Sequence, residues 1–201
     1  MDMILGNGHH KPIFGKVSFE STVTNFPFNF QVAGFVYSIE FQKRGMPHCH
    51  MLLFMEKGHE PNTPEKIDEL VWARIPDEPS PDDPEERKIF LRALHRAVLR
   101  HMIHSRCKGV DSAYCNAGKK EHWTMCSKRF PKPYSEFTII GDNNYAILAR
   151  PRNGPVVHKD AYGEKNVAHD CRWVVSYNPT LLVALDAHVN VEVRFFPFCC
   201  T

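Results

Sequence analysis

The sequence predicts an α+β fold: an antiparallel sheet with covering helices, followed by a loop-rich extension containing Cys and His. Three observations predict it. Two strand-like runs, FVYSIEF and HCHMLLFM, flank the turn-like QKRGMP. An amphipathic segment with helix-start signals follows at 63–75. Beyond residue 104 the apolar period fades and cysteines, histidines and lysines take over.

Each element has its reason. In 35–41, Ser38 and Glu40 alternate against Tyr37, Ile39 and Phe41, the period of a half-buried strand. Residues 48–55 form the next strand, so the two make a hairpin. Thr63 is placed to cap a helix with Pro64 at its first position, and Ile67, Leu70, Val71 and Ile75 fall on one stripe. The acidic, proline-broken run PDEPSPDDPEE links it to a second helix over about 84–103, with Ile89, Phe90, Leu94, Ala97, Val98 and Met102 on one side. A hairpin around GDNN, a strand at WVVSYNP, a helix capped by Thr180 or Asn178 and a last strand at NVEVRFF complete the chain. Residues 1–16 are polar and short, and no strand is expected there.

The bulk numbers exclude some classes. Net charge is +2 over 201 residues, too mild to point to nucleic acid without a local cluster. No window reaches the ~18 apolar residues of a membrane span. The start lacks the pattern of a secretory leader, which points to an intracellular protein. The seven cysteines then read as thiols or metal ligands rather than disulfides.

Three clusters carry candidate chemistry. His48 and His50 stand two apart on a strand and so share a face, while Cys49 and Met51 turn to the core. With a turn at 43–47, Glu40 is expected opposite His50 and Gln42 opposite His48. Two imidazoles and a carboxylate suit a divalent ion with open positions. Twelve histidines in the chain make a chance His-x-His pair common, so the bare motif is weak. In the second cluster, His104, Cys107, Cys115 and Cys126 supply four ligands of the kind zinc takes, with His122 an alternative to Cys115. In the third, Lys128, Arg129 and Lys132 are interleaved with Trp123, Phe130 and Tyr134, as in surfaces that hold phosphates and unpaired bases. Lys43 and Arg44, at the hairpin tip, are further candidates.

The string IEFQKRGMPHCHMLLF resembles the signature of the Helitron helicase-like domain, the Rep-type, His-hydrophobic-His endonuclease of rolling-circle transposons. TPEKIDELVWARIPDE, RHMIHSRC, CSKRFPKPY and DCRWVVSYNPTLL resemble successive blocks of that family. The resemblance implies a sheet of the Rep type. It also implies that His48 and His50 hold Mg²⁺ or Mn²⁺ and that the partner is single-stranded DNA, in the nucleus. In such proteins a tyrosine attacks the phosphate and remains joined to the 5′ end. This chain departs from the pattern after about residue 193, where the tyrosine-rich helix is expected, and none of its six tyrosines lies in such a run. It reads as a fragment, with no catalytic nucleophile assigned. Three parts are expected: an incomplete nuclease core over 1–103, a Cys/His and basic segment over 104–135, and a β-rich extension over 136–201. Residues 17–31 read as an insertion or a translated intron, and the tail RFFPFCCT could share that origin. The competing expectation is a zinc-stabilised nucleic-acid-binding module without chemistry, or a remnant that does not fold.

Overall fold

The computed structural model describes residues 2–6, 31–41, 47–104, 126, 128–142, 144–161 and 164–195. The fold is α+β. Its centre is a four-stranded antiparallel sheet built from β1 (Asp2–Gly6), β2 (Val32–Phe41), β3 (Pro47–Met55) and the last strand, His188–Glu192, in the order β2, β3, β1, last. The expected hairpin of β2 and β3 is present and antiparallel. The expectation of no strand in residues 1–16 is corrected: Asp2–Gly6 pairs with β3 on one side and with His188–Glu192 on the other. Its run MIL is short for the sequence to announce, and long-range pairing on both edges decides the outcome.

Helix α1 (Pro64–Leu70) starts as expected: the Thr63 hydroxyl accepts from the Lys66 amide and Pro64 holds the first turn. It ends five residues early. Val71 is already extended, and Trp72 exchanges two backbone hydrogen bonds of 2.8 Å with Tyr177. Val71 and Ile75 are still buried, so the stripe was real although its second half is not helical. Helix α2 (Glu85–Ala97) continues as a π-helical turn, Val98–Met102. The turn's end is capped from elsewhere in the fold. The Lys159 ammonium donates to the Leu99 carbonyl, the Val175 amide to Met102 and the His188 ring to His101. These partners satisfy carbonyls that a helix end leaves open. Ile89 faces out at 59% exposure and leaves the expected stripe.

Two short hairpins follow: β4 (Ile139–Ile140) with β5 (Ala146–Ile147), the one expected near GDNN, and β6 (Val157–Ala161) with β7 (Glu164–His169), which was not expected. The segment expected as a strand at WVVSYNP is a 3-10 turn, Cys171–Trp173, followed by extended backbone bridging to Ile103 and Trp72. Helix α3 (Pro179–Leu185) precedes the last sheet strand, β8 (His188–Glu192).

Two apolar clusters share α3. On the sheet, Met51 and Leu53 of β3 and Val189 and Val191 of β8 pack with Ile67, Leu70 and Leu181. The second cluster gathers Leu94, Val98, Met102, Trp173 and Tyr177 around Leu182. Helix α1 thus covers the sheet as expected. Helix α2 does not: its buried residues join the second cluster, against α3 and Tyr177. One sheet joins strands from both ends of the chain, β8 lying beside β1 in the order β2, β3, β1, β8.

Asn178 joins α3 to α1. Its carbonyl oxygen accepts from the Leu181 amide at 2.9 Å, and its amide nitrogen donates to the Leu70 carbonyl at 2.8 Å, fully buried. Asn178→Ala is expected to cost about 2 kcal/mol, since it removes a cap and leaves a buried carbonyl unpaired. That corresponds to a drop of about 4–8 °C in Tm by thermal denaturation.

Candidate metal and nucleic-acid site

On β3 the side chains alternate as a strand dictates. Cys49, Met51 and Leu53 are buried in the sheet's covered face, and burial raises the Cys49 thiol pKa. His48 and His50 project to the opposite, open face with ring centroids 4.8 Å apart. The expected register is corrected by two residues: Glu40 pairs with His48, and Ser38 with His50. The cause is where the strands close: pairing ends at Phe41 and Pro47, one residue earlier on each strand than the expected Gln42 and His48. Gln42, Lys43 and Arg44 lie outside the described residues.

Glu40 reaches across to His50 all the same. Its Oε2 lies 3.9 Å from His50 Nε2, and these side chains are 69% and 47% exposed. His48, His50 and Glu40 therefore share one patch, a donor set suited to a divalent ion with open positions. Among the described residues no three such side chains already converge on one point. Two ligands of one ion at ~2.1 Å would approach each other more closely than 3.9 Å at tetrahedral or octahedral angles. The difference is within reach of a rotamer change, and exposed side chains make such changes in picoseconds to nanoseconds.

The Cys/His segment is described only at its ends, with Cys107, Cys115 and His122 outside the described residues. Its two described members meet: His104 Nε2 and Cys126 Sγ are 3.3 Å apart. Burial pushes the His104 imidazole down to about 4, helped by the charges of Lys132, His188 and Lys128. A neutral imidazole is the form that binds a metal.

The basic segment packs onto this pair. The Phe130 ring stacks on His104 at 4.2 Å and lies beneath the Lys132 ammonium at 5.0 Å. Lys132 also donates to the Lys128 carbonyl, and burial lowers its pKa. Lys128 and Arg129 are exposed. Tyr134 is held between the Arg152 and Arg172 guanidiniums, 4.6 and 4.5 Å from its ring centre. Its hydroxyl donates to Asp170. Both rings are thus engaged with neighbours of their own, and Trp123 lies outside the described residues. Arg152 and Arg172, not singled out from the sequence, join the basic side chains here. Only folding brings residues 134, 152 and 172 together.

The geometry defines a class: an α+β domain whose central hairpin presents a His-x-His pair on an open sheet face. Residues 12–53 match the family model described as the Helitron helicase-like domain at N-terminus. The match takes in β2 and most of β3, including Glu40, His48 and His50, and covers a minority of the chain. No curated protein matches. Among the described residues no helix is long and apolar enough to cross a membrane.

Proposed function

We propose that the chain carries the metal-binding part of a Rep-type domain from a Helitron transposon protein, ancestrally a single-stranded DNA nickase and strand transferase. His48, His50 and Glu40 hold Mg²⁺ or Mn²⁺. Lys128, Arg129 and Lys132, with the hairpin-tip Lys43 and Arg44, contact DNA phosphates. The observation that carries this reading is the shared open face of His48, His50 and Glu40 inside the segment that matches the family. A bound divalent ion supplies polarisation of a phosphate oxygen. The histidines and Glu40 hold it; they do not attack.

The chain alone is not an efficient nickase on this reading. Tyr177 is fully buried, and its hydroxyl donates to the Arg74 carbonyl. Tyr134 is bonded to Asp170, and Tyr145 lies against Arg194. Tyr37 pairs with Met51, on the face away from the histidines. These four tyrosines are engaged elsewhere in the fold, and Tyr114 and Tyr162 lie outside the described residues.

Binding of a labelled single strand across a salt series tests the partner. The log of the binding constant should fall linearly with the log of salt concentration, by ~0.7 per phosphate contacted. Replacing Lys128, Arg129 and Lys132 together by Ala should lower that slope by about 2. Strand binding that is salt-independent, or unchanged in the triple variant, contradicts the assignment.

A second reading has its own observation, the 3.3 Å approach of His104 and Cys126. It is a zinc-stabilised nucleic-acid-binding module without chemistry, with Cys107 and Cys115 completing the ligand set. Zinc measured on the purified chain separates the two: one equivalent of zinc that Cys126→Ser removes, with no Mn²⁺ binding, favours this module.

A further inference from the structure

Strand β2 ends the sheet: in the order β2, β3, β1, β8 it pairs on one side only, with β3, among the described residues. The outer edge of such a strand presents a row of backbone N–H and C=O groups to which another strand can pair. Natural edge strands are blunted by lysine, proline or a bulge. Over FVYSIEF, Phe35 to Phe41, β2 has no lysine or proline, and its one charge is Glu40. Its register shift comes before this run, between Val32 and Gly34.

The side chains leave both faces of this edge apolar and bare. On the open face Val36 is 61% exposed. On the other face the apolar cover stops at β3. Met51 and Cys49 are buried there, while Ile39 and Phe41, on the same face of β2, are 56% and 72% exposed. A long edge strand that is apolar on both faces is a site of association.

The open backbone restricts the occupant to an extended strand, and β2 is complementary to itself. Directly opposed residues of an antiparallel pair share a face, so a symmetric pairing is centred on one residue. Centring on Ser38 sets Glu40 against Val36, and centring on Glu40 sets two carboxylates face to face. Centring on Ile39 does neither. Ile39 then meets its own copy, Phe41 meets Tyr37, and Glu40 meets Ser38, whose hydroxyl can donate to it.

From this arrangement we infer that the chain dimerises by antiparallel pairing of β2 with β2 of a second copy, about a two-fold axis at Ile39. The result is one eight-stranded sheet with the same surface buried on both copies. The inference goes beyond the metal and DNA readings and depends on neither. The axis stands perpendicular to the sheet, so both open faces lie on the same side. Ile39 pairs with Cys49, so His48 and His50 of each copy flank the level of the axis. The two β3 strands are then roughly 15 Å apart, three strand spacings.

Sedimentation velocity of the full chain tests it. The mass should rise from the 23.2 kDa of one chain towards twice that value. The rise should fall between about 1 and about 200 µM, because a single edge pairing is a small interface. Ile39→Lys sets two ammonium groups opposite each other and should hold the single-chain mass over the whole range. Its Tm should be unchanged, because the position is exposed. Ile39→Glu should behave the same way. Mixed one to one, the two variants should regain the doubled mass, since opposite charges now meet across the axis. Ile147→Lys, at an exposed position of the β4–β5 hairpin, should dimerise as the parent does. A parent that keeps the single-chain mass at the highest concentration overturns the dimer. So does an Ile39→Lys chain that still doubles, or a mixture of the two variants that stays at the single-chain mass.

Discussion

Arg150→Met is expected to lower stability by about 3–5 kcal/mol, the largest loss from a single change outside the apolar clusters. The Arg150 side chain is buried and donates from one nitrogen to the carbonyls of Ala73, Cys171 and Val174. Those carbonyls belong to the segment after α1 and to the turn before α3, so one side chain joins two distant parts of the chain. Its own backbone exchanges hydrogen bonds with Ser135 and adds a third segment. Burial pushes the guanidinium down to about 10, so it is still charged at neutral pH. Methionine keeps an unbranched apolar stem in the same place, but leaves the Ala73 and Val174 carbonyls without this donor, at ~1–3 kcal/mol for each one left unsatisfied, while the Cys171 carbonyl keeps the Val174 amide. Thermal denaturation should show a fall of about 6–20 °C. Arg150→Lys should fall between parent and methionine variant, because a compact ammonium cannot reproduce the guanidinium fork. A methionine variant that melts within ~2 °C of the parent would show that these contacts contribute little.

The second large effect is on metal binding. Replacing His48 and His50 together by Ala should weaken Mn²⁺ binding by about a hundredfold or more, since losing even an outer-sphere partner costs 10–100-fold. His50 is half exposed, His48 is partly exposed, and both lie on the face away from the apolar cluster. The double variant should therefore keep the parent's Tm, so lost binding cannot be put down to lost folding. Glu40→Gln keeps the size of the side chain and removes its charge. It should weaken binding less than the double histidine change, and the effect should persist in high salt, because a direct ligand is screened much less than a distant surface charge.

Much of the local structure is legible in the sequence because local rules set it. Thr63-Pro64 starts α1 where capping chemistry places it, and Asn178-Pro179 does the same for α3. The alternation in β3 sends His48 and His50 one way and Met51 the other. Long-range partners decide what the sequence hides. Asp2–Gly6 is a strand because β3 and β8 flank it. Helix α1 stops at Leu70 because Tyr177, more than a hundred residues away, takes the Trp72 backbone. The hairpin register depends on where the strands close, which composition does not specify, so Glu40 pairs with His48 rather than the expected His50. In the same way, the clasp of Tyr134 by Arg152 and Arg172 needs three segments brought together by folding. His104 and Cys126, grouped in the sequence as ligands of the kind zinc takes, lie 3.3 Å apart.

The central claim is that His48, His50 and Glu40 form a divalent-ion site. Mn²⁺ titration of the full chain, followed by electron paramagnetic resonance, tests it most directly. One Mn²⁺ per chain should bind in the parent and none in the His48→Ala, His50→Ala variant, with Tm unchanged between them. Equal Mn²⁺ binding by the parent and the double variant, or none by a folded parent, would contradict it.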